Sequence, residues 1–318
     1  MHRFFLMIGS ALLALCSLQL RAQTAEAQNP LVADPTVFFH QGVYYLYGTN
    51  GASADKGFSA YTSTDLRSWK AAGKVLAVGD AFGTRGFWAP QVFMYNGRFY
   101  MAYTANEHIA IAVSDHPLGP FKQEKQAPLE SPGRMIDPFV FFDRGKIYLY
   151  HVRLREGNRI FVAEMNNELT AIKENTAREC IHAGQAWENT ANAKWSVTEG
   201  PTVFKRGNLY YMLYSANDFR NPDYAIGVAT SKSPAGPWIK AKNNPLVSKA
   251  SVGFNGTGHG DLFKDANGNW QYVLHTHFSG TKVGPRKTAI IQLVFPKKKN
   301  DPLVKADPKT FRFLNSTK

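Results

Sequence analysis

The sequence predicts an all-β protein that folds as one five-bladed β-propeller. Two observations carry this prediction. The chain repeats one pattern five times: a short apolar strand, a glycine-centred turn and a second, aromatic strand. The heads of the five first strands, Asp34, Trp88, Asp137, Glu199 and His259, lie 54, 49, 62 and 60 residues apart. This period is too long for a hairpin repeat and suits a four-stranded blade with its loops.

Each unit is justified by its own residues. The first two strands pair through a turn containing Gly, the residue that hairpin turns favour. In chain order these pairs are 34–39 with 42–47, 89–93 with 97–103, 137–142 with 145–150, 198–204 with 207–214, and 259–263 with 268–274. A third strand follows at 58–62, 109–113, 159–164, 224–229 and 288–294, and a weaker fourth is expected after a Pro-, Gly- or Asp-containing turn. A helical solenoid is excluded because the units lack a 3.6-residue period.

The N-terminus has the features of an export signal. Arg3 supplies a positive start, the run from Phe4 to Leu20 is largely apolar, and Ala22 offers a small residue for cleavage. We therefore expect a signal peptide at 1–22 and a propeller domain at 23–318, in a protein that is periplasmic or secreted. A lipid anchor at Cys16 is less favoured, because the residue before it is a large Leu. No other stretch is apolar enough to span a membrane.

Charge and cysteine content narrow the partners. The formal net charge is +13, but the charges are scattered apart from Lys297–Lys299, and no nucleic-acid motif accompanies them. We expect no nucleic-acid partner and a monomeric protein. Cleavage after Ala22 would leave Cys180 as the single cysteine, so no internal disulfide can form. The aromatic residues, 13% of the chain, are interpreted as sheet packing.

The strand heads differ from the rest of the repeat. In a propeller the first strand of each blade lines the central channel, so residues at its head face a common centre. Asp34, Asp137, Glu199 and His259 stand there, and packing gives no reason for acids in three of five blades. Carboxylic acids in one pocket can hold different protonation states, as hydrolysis of a glycosidic bond requires. Asp143 and Asp261 are interpreted as structural.

Five short motifs then resemble glycoside hydrolase family 43, five-bladed enzymes that act on arabinose- and xylose-containing polymers. The resemblance covers about residues 29 to 295. The motifs are Ala-Asp-Pro at 33–35, Trp-Ala-Pro at 88–90, Ile-Asp-Pro at 136–138, Thr-Glu-Gly-Pro at 198–201 and Gly-His-Gly at 258–260. The resemblance implies that Asp34 is the general base, Glu199 the general acid and Asp137 the third carboxylate, which tunes the acid. It also implies inversion, with base and acid roughly 6.5–9.5 Å apart.

The resemblance also implies substrate-binding residues. Arg286 would reach the sugar in the first subsite, although an exposed loop arginine is the alternative. Trp88 with Phe87 would form an apolar wall, and blade packing is the alternative for them. His259 would bind a channel water or, less favoured, a metal ion. No cofactor is expected to be required, and a calcium ion on the axis, held mostly by water, is compatible.

The insertion at 178–196, with Trp187 and Trp195, is expected to wall the pocket and limit its subsites. The predicted activity is removal of terminal α-L-arabinofuranosyl units. The alternatives are an exo-acting β-xylosidase and, less favoured, a non-catalytic glycan-binding propeller. A fructoside-directed family is disfavoured, because residues 29–33 before Asp34 lack its Trp-x-Asn-Asp-Pro signature.

Overall fold

The computed structural model describes residues 30–296 and 304–314. Within these ranges nineteen strands form five antiparallel sheets. The predicted signal peptide, Cys16 and the Lys297–Lys299 run lie outside the described residues, so export and anchoring stay predictions. In the described part of the chain, no helix has the length and apolar character that a membrane crossing needs.

The strands follow the predicted order, with one blade per sheet. The first blade contains β1 (Ala33–His40), β2 (Val43–Thr49), β3 (Gly57–Ser63) and β4 (Lys70–Ala77); the second contains β5 (Trp88–Tyr95), β6 (Arg98–Ala105) and β7 (His108–Ser114); the third contains β8 (Met135–Asp143), β9 (Lys146–Leu154), β10 (Asn158–Glu164) and β11 (Arg178–Ile181); the fourth contains β12 (Thr198–Arg206), β13 (Leu209–Ala216), β14 (Ala225–Ser231) and β15 (Ile239–Lys240); and the fifth contains β16 (Gly258–Lys264), β17 (Trp270–Thr276), β18 (Lys287–Val294) and β19 (Lys305–Phe313). The short helices are α1 (Lys249–Val252) and 3₁₀ turns at Gly51–Lys56, Glu174–Thr176 and Ala186–Asn189.

The five-bladed propeller is therefore confirmed, with one departure from the four-stranded repeat. The described part of the second blade has three named strands, and an isolated bridge between Val113 and Lys122 stands where an outer strand would lie. The outer strand of the fifth blade is β19, from the C-terminal tail. The ring closes between the first and fifth blades, where the Val32 N–H donates to Thr288 Oγ1 at 3.2 Å and the Thr288 hydroxyl donates to the Val32 carbonyl at 2.9 Å.

The core consists of apolar layers between neighbouring blades. Five buried clusters are found, and each combines residues of two adjacent blades. Phe58 and Tyr103, for example, meet edge to face between the first and second blades, with ring centroids 5.6 Å apart. The aromatic residues of the repeat are thus mainly the packing between sheets, as predicted. Cys180 lies half-buried beside the layer between the third and fourth blades.

A backbone irregularity recurs at the head of every first strand. The pairing register slips at this point in all five blades. One residue in each slip has a positive φ: Asp34 (47°), Ala89 (45°), Asp137 (56°), Gly200 (57°) and His259 (34°). Such a bulge turns a side chain out of the alternating pattern of the strand. These five residues line an axial cavity of about 20 Å³, enough for a water molecule.

The bulges correct the sequence-based assignment of the strand heads. In the fourth blade the axial position is Gly200, and Glu199 precedes it by one residue. In the second blade the axial position is Ala89, and Trp88 precedes it. Because neighbouring residues of a strand face opposite ways, Glu199 and Trp88 leave the axis and enter the pocket above it.

Candidate active site

A cavity of about 420 Å³ opens above the axis, at the heads of the first strands. Every blade contributes to its wall. The lining residues are Asp34 from the first blade, Trp88 from the second, Ile136, Asp137, Asn158, Trp195 and Val197 from the third or its insertion, Glu199, Asp218, Phe219 and Arg220 from the fourth, and His259 and Arg286 from the fifth. The structure therefore brings together the three predicted acids, Trp88, His259 and Arg286.

Asp34 is buried and surrounded by cationic and hydrogen-bonding groups. The Thr49 hydroxyl donates to its Oδ2 at 2.6 Å, and Arg286 Nη1 lies 3.5 Å from its Oδ1. Burial alone would raise the pKa of this carboxyl. The charge of Arg286, the neighbouring imidazoles of His259 and His275, and the Thr49 bond outweigh burial and hold the pKa of Asp34 well below its usual range. Asp34 is therefore ionised at any working pH.

His275 fixes the backbone of Asp34. The Asp34 N–H donates to His275 Nδ1 at 3.1 Å, so that nitrogen is unprotonated and the neutral ring carries its proton on Nε2. Burial and the Arg286 charge lower the pKa of His275 well below its ordinary value, consistent with a neutral ring. The ring stacks on Tyr224, with centroids 5.7 Å apart and an interplanar angle of 14°.

Glu199 lies in the opposite electrostatic setting. The Tyr224 hydroxyl donates to its Oε1 at 2.8 Å, and Asn158 Nδ2 donates to its Oε2 at 3.0 Å. Burial and the negative charge of Asp34 raise the pKa of Glu199 to about 7, against the opposing effect of the two hydrogen bonds. This side chain keeps its proton at a pH where an exposed glutamic acid would be ionised.

Asp137 lies between these two acids. Its Oδ2 accepts the Gly200 N–H at 3.2 Å, and its own N–H donates to Thr104 Oγ1 at 3.0 Å. Burial, together with the charges of Glu199 and Asp34, raises the pKa of Asp137 well above its usual value. Asp137 and Glu199 thus hold a proton between them at near-neutral pH, while Asp34 stays ionised.

His259 lies at the junction of the cavity and the axis. Its N–H donates to Ser215 Oγ at 2.8 Å, and its Nδ1 is 3.5 Å from Asp34 Oδ1 and 3.9 Å from Asp137 Oδ2. Burial and, to a lesser degree, Arg286 lower the pKa of His259, although Asp34 opposes this shift. Across residues 30–296 and 304–314, no three His, Cys, Asp or Glu side chains are arranged to hold a metal ion. An axial calcium ion would thus depend on water ligands and stays a prediction.

Arg286 and Trp88 lie where a sugar could contact them, and Phe87 does not. Arg286 packs over the ring of Phe219, with its Cζ 4.7 Å from the ring centroid. Trp88 is half-buried in the wall of the cavity. Phe87 is fully buried and stacks on Tyr103 at 5.9 Å in the layer between the first and second blades. The predicted sugar wall is therefore corrected to Trp88 without Phe87.

The insertion at 178–196 divides in the same way. Trp195 is half exposed and lines the cavity. Trp187 instead packs against Tyr214, with centroids 6.0 Å apart, next to the fully buried Glu188. The Glu188 carboxylate accepts bonds from Tyr214 at 2.6 Å and from Lys240 at 2.6 Å, so this half of the insertion anchors the loop.

Sequence reasoning missed several site residues: Thr49, Asn158, Asp218, Phe219, Arg220, Tyr224 and His275. A usable signal did exist for some of them. First and third strands run in the same direction, so the starts of third strands share the face of the cavity. Asn158 begins β10, and Tyr224 and Arg286 directly precede β14 and β18.

Comparisons with known proteins agree with this geometry. The family model described as glycosyl hydrolases family 43 matches residues 27–299. A solved structure titled endo-1,4-beta-xylanase, from Bacteroides thetaiotaomicron VPI-5482, is 41% identical with a TM-score of 0.82, covering 88% of this chain and 95% of that one.

Two curated relatives are more distant. The beta-D-galactofuranosidase xynD of Aspergillus niger is 25% identical, over 85% of this chain and 82% of its own length. A xylosidase/arabinosidase of Butyrivibrio fibrisolvens is 28% identical over 78% of this chain, and the chain spans 50% of that relative's length.

Proposed function

The chain belongs to glycosyl hydrolase family 43 and is a glycosidase, and we propose that it removes terminal α-L-arabinofuranosyl units from plant cell-wall polysaccharides or oligosaccharides with inversion. The observation that carries the proposal is the pairing, in one cavity, of an ionised Asp34 with a protonated Glu199. An inverting glycosidase needs these two states at the same pH.

The proposed reaction has one displacement. Asp34 takes a proton from a water molecule as that water attacks the anomeric carbon. Glu199 gives its proton to the glycosidic oxygen, which leaves with the electron pair of the broken bond. Asp137 disfavours ionisation of Glu199 until this transfer, and Arg286 binds the sugar beside Asp34.

Removal of a terminal unit is supported by the shape of the cavity. Residues of all five blades surround it, and Trp195, Phe219 and Arg220 belong to its wall. A volume of about 420 Å³ is small among ligand sites and suits a few sugar units. A second candidate, an exo-acting β-xylosidase, is favoured by the 41% identical relative with a xylan-directed title and by the relative named xylosidase/arabinosidase. Both candidates use the same acids.

Export, monomeric state and an optional axial calcium ion complete the proposal. Export is supported by the signal-like residues 1–22, with periplasm and secretion as the two destinations. Mass measurement of the mature N-terminus in the native host would test cleavage near Ala22.

The decisive experiment compares 4-nitrophenyl α-L-arabinofuranoside with 4-nitrophenyl β-D-xylopyranoside. Arabino- and xylo-oligosaccharides follow, with proton NMR to assign the anomer released first. Glu199→Gln should lower turnover of the oligosaccharide by roughly 10²- to 10⁴-fold and of the aryl glycoside far less, because nitrophenolate leaves without a proton. An equal fall on both substrates would show that Glu199 is not the acid. Release of the retained anomer would refute inversion.

A further inference from the structure

Trp195 is an exposed aromatic side chain that is nevertheless held in one orientation. Half of its surface is exposed, and the ring lines the cavity. Its indole Nε1–H donates to Asn158 Oδ1 at 2.9 Å, and Asn158 Nδ2 in turn donates to Glu199 Oε2 at 3.0 Å. Two hydrogen bonds therefore link a surface tryptophan to the general acid.

The chemistry of the indole decides how this chain of bonds is directed. An indole nitrogen can only donate, so the amide must present Oδ1 to Trp195 and its NH₂ group to Glu199. A reversed amide would place two donors against each other at Trp195. The ring thus fixes the amide, and the amide fixes Oε2 of the acid as a hydrogen-bond acceptor.

The backbone of Asn158 is also held to the segment that carries both partners. Its N–H donates to the Ser196 carbonyl at 2.9 Å, and its carbonyl accepts the Thr198 hydroxyl at 3.0 Å. Gly157, with φ of +124°, passes so close to this segment that a Cβ there would lie 2.6 Å from the Ser196 oxygen. Asn158 therefore sits at a fixed distance from both Trp195 and Glu199.

The position of Trp195 indicates which part of the substrate it would meet. Glu199 must reach the glycosidic oxygen, so the leaving-group sugar lies on its side of the cavity. We propose that Trp195 is the platform for the leaving-group sugar and, through Asn158, a positioning residue for Glu199. The inference rests on the proposed function and adds to it a built subsite for the leaving group.

Other groups also face Glu199 and have to stay constant in any test. They are Asp34, Asp137, Asp218 and Tyr224. Trp195 and Asn158 can be changed without altering the charge of any of them. Trp195→Phe keeps a ring but removes the N–H, Trp195→Ala removes both, and Asn158→Ala removes the link.

The platform is tested with two substrates of the same sugar. One is an oligosaccharide, and the other is the glycosyl fluoride, whose one-atom leaving group cannot cover Trp195. Trp195→Ala should raise KM for the oligosaccharide roughly five-fold or more, with KM for the fluoride unchanged. Ile239→Ala, which trims an exposed apolar side chain on β15 away from the cavity, is the control. An unchanged oligosaccharide KM in Trp195→Ala would overturn the platform.

The link to the acid is tested by the alkaline limb of kcat/KM against pH. Asn158→Ala removes a bond to the ionised acid and should move this limb up by about one pH unit. Trp195→Phe should move it in the same direction by less, with oligosaccharide KM near that of the wild type. The double variant should move no further than Asn158→Ala alone, because the ring acts through the amide. Additive shifts, or an unmoved limb in Trp195→Phe, would overturn the link.

Failure of the proposed function gives a different result. In that case the wild type hydrolyses neither sugar series, and no variant can be compared by rate. The pKa of Glu199 is then followed by carbon NMR of labelled carboxyl groups in wild type, Trp195→Phe and Asn158→Ala. Upward shifts in both variants support the link in the absence of activity, and unchanged values refute it.

Discussion

Tyr224→Phe should raise the pKa of the general acid without removing a charge from the site. The Tyr224 hydroxyl donates to Glu199 Oε1 at 2.8 Å, and the side chain is fully buried. Phe keeps the ring that stacks on His275. The substitution therefore removes one hydrogen bond and little packing.

The size of the effect follows from the two protonation states of Glu199. A hydrogen bond to an ionised group contributes about 1.5–3 kcal/mol, and one to a neutral group about 1 kcal/mol. The difference, near 1.4 kcal/mol, corresponds to about one pKa unit. The pKa of Glu199 should rise from about 7 to roughly 8. Because the acid must be protonated to work, the alkaline limb of kcat/KM should move up by about one pH unit.

The assay is the pH profile of kcat/KM on an oligosaccharide, since aryl glycosides depend less on the acid. Tyr103→Phe is the matched control, because that buried hydroxyl donates to the Phe82 carbonyl at 2.7 Å, away from the acids. A limb that stays in place or moves down in Tyr224→Phe would refute the assignment of the acid or the direction of the bond. Thermal melting of both variants separates this outcome from misfolding.

Two further substitutions test the base and the axial backbone. Asp34→Asn should abolish turnover of oligosaccharide and aryl substrates alike, and added azide should yield no glycosyl azide of retained configuration; recovery of that product would identify a nucleophile. Gly200→Ala should destabilise the fold by roughly 1–3 kcal/mol in urea unfolding, because a Cβ there would lie 2.8 Å from the His259 ring. Gly42→Ala, at φ of +80° with open space around it, should cost only the backbone strain of about 1 kcal/mol, and equal losses would contradict the contact with His259.

The repeat made the three acids predictable because each belongs to a first strand and is local in sequence. Asp34, Asp137 and Glu199 recur in phase with the blades, and the fold then brings their strands together. Phase alone could not distinguish Phe87 from Trp88. The bulge at the strand head sets which of these two neighbours faces the cavity, and its backbone conformation is not written in residue type.

Residues that tune the acids were not predictable, because they come from other strands. Asn158 and Tyr224 reach Glu199 from the third and fourth blades. His275 reaches the Asp34 backbone across the closure of the ring, 241 positions away in sequence. No short motif surrounds them, and each is an ordinary strand residue until the neighbouring blade is in place. Their chemistry exists only in the tertiary structure.

The bulges also show how one backbone device accepts different side chains. At four blade junctions the N–H of the positive-φ residue donates to a side chain of the preceding blade in the ring. The pairs are Asp34 with His275, Ala89 with Thr49, Asp137 with Thr104, and His259 with Ser215. The left-handed conformation costs about 1–2 kcal/mol per non-glycine residue, and these bonds offset part of that cost. The axial side chain can then vary without changing the fold.

The junction between the third and fourth blades differs, since the Gly200 N–H donates to the carboxylate of Asp137 itself. Asp137 thus acts on Glu199 in two ways: by its charge, and by holding the next residue of the chain. Asp137→Asn keeps an oxygen acceptor for Gly200 and removes the charge, so the alkaline limb should move below about pH 7 with stability nearly unchanged. Asp137→Ala removes both and should also lower the free energy of unfolding by roughly 1–3 kcal/mol. An unmoved limb in Asp137→Asn would assign Asp137 to holding the backbone or the sugar rather than to tuning the acid.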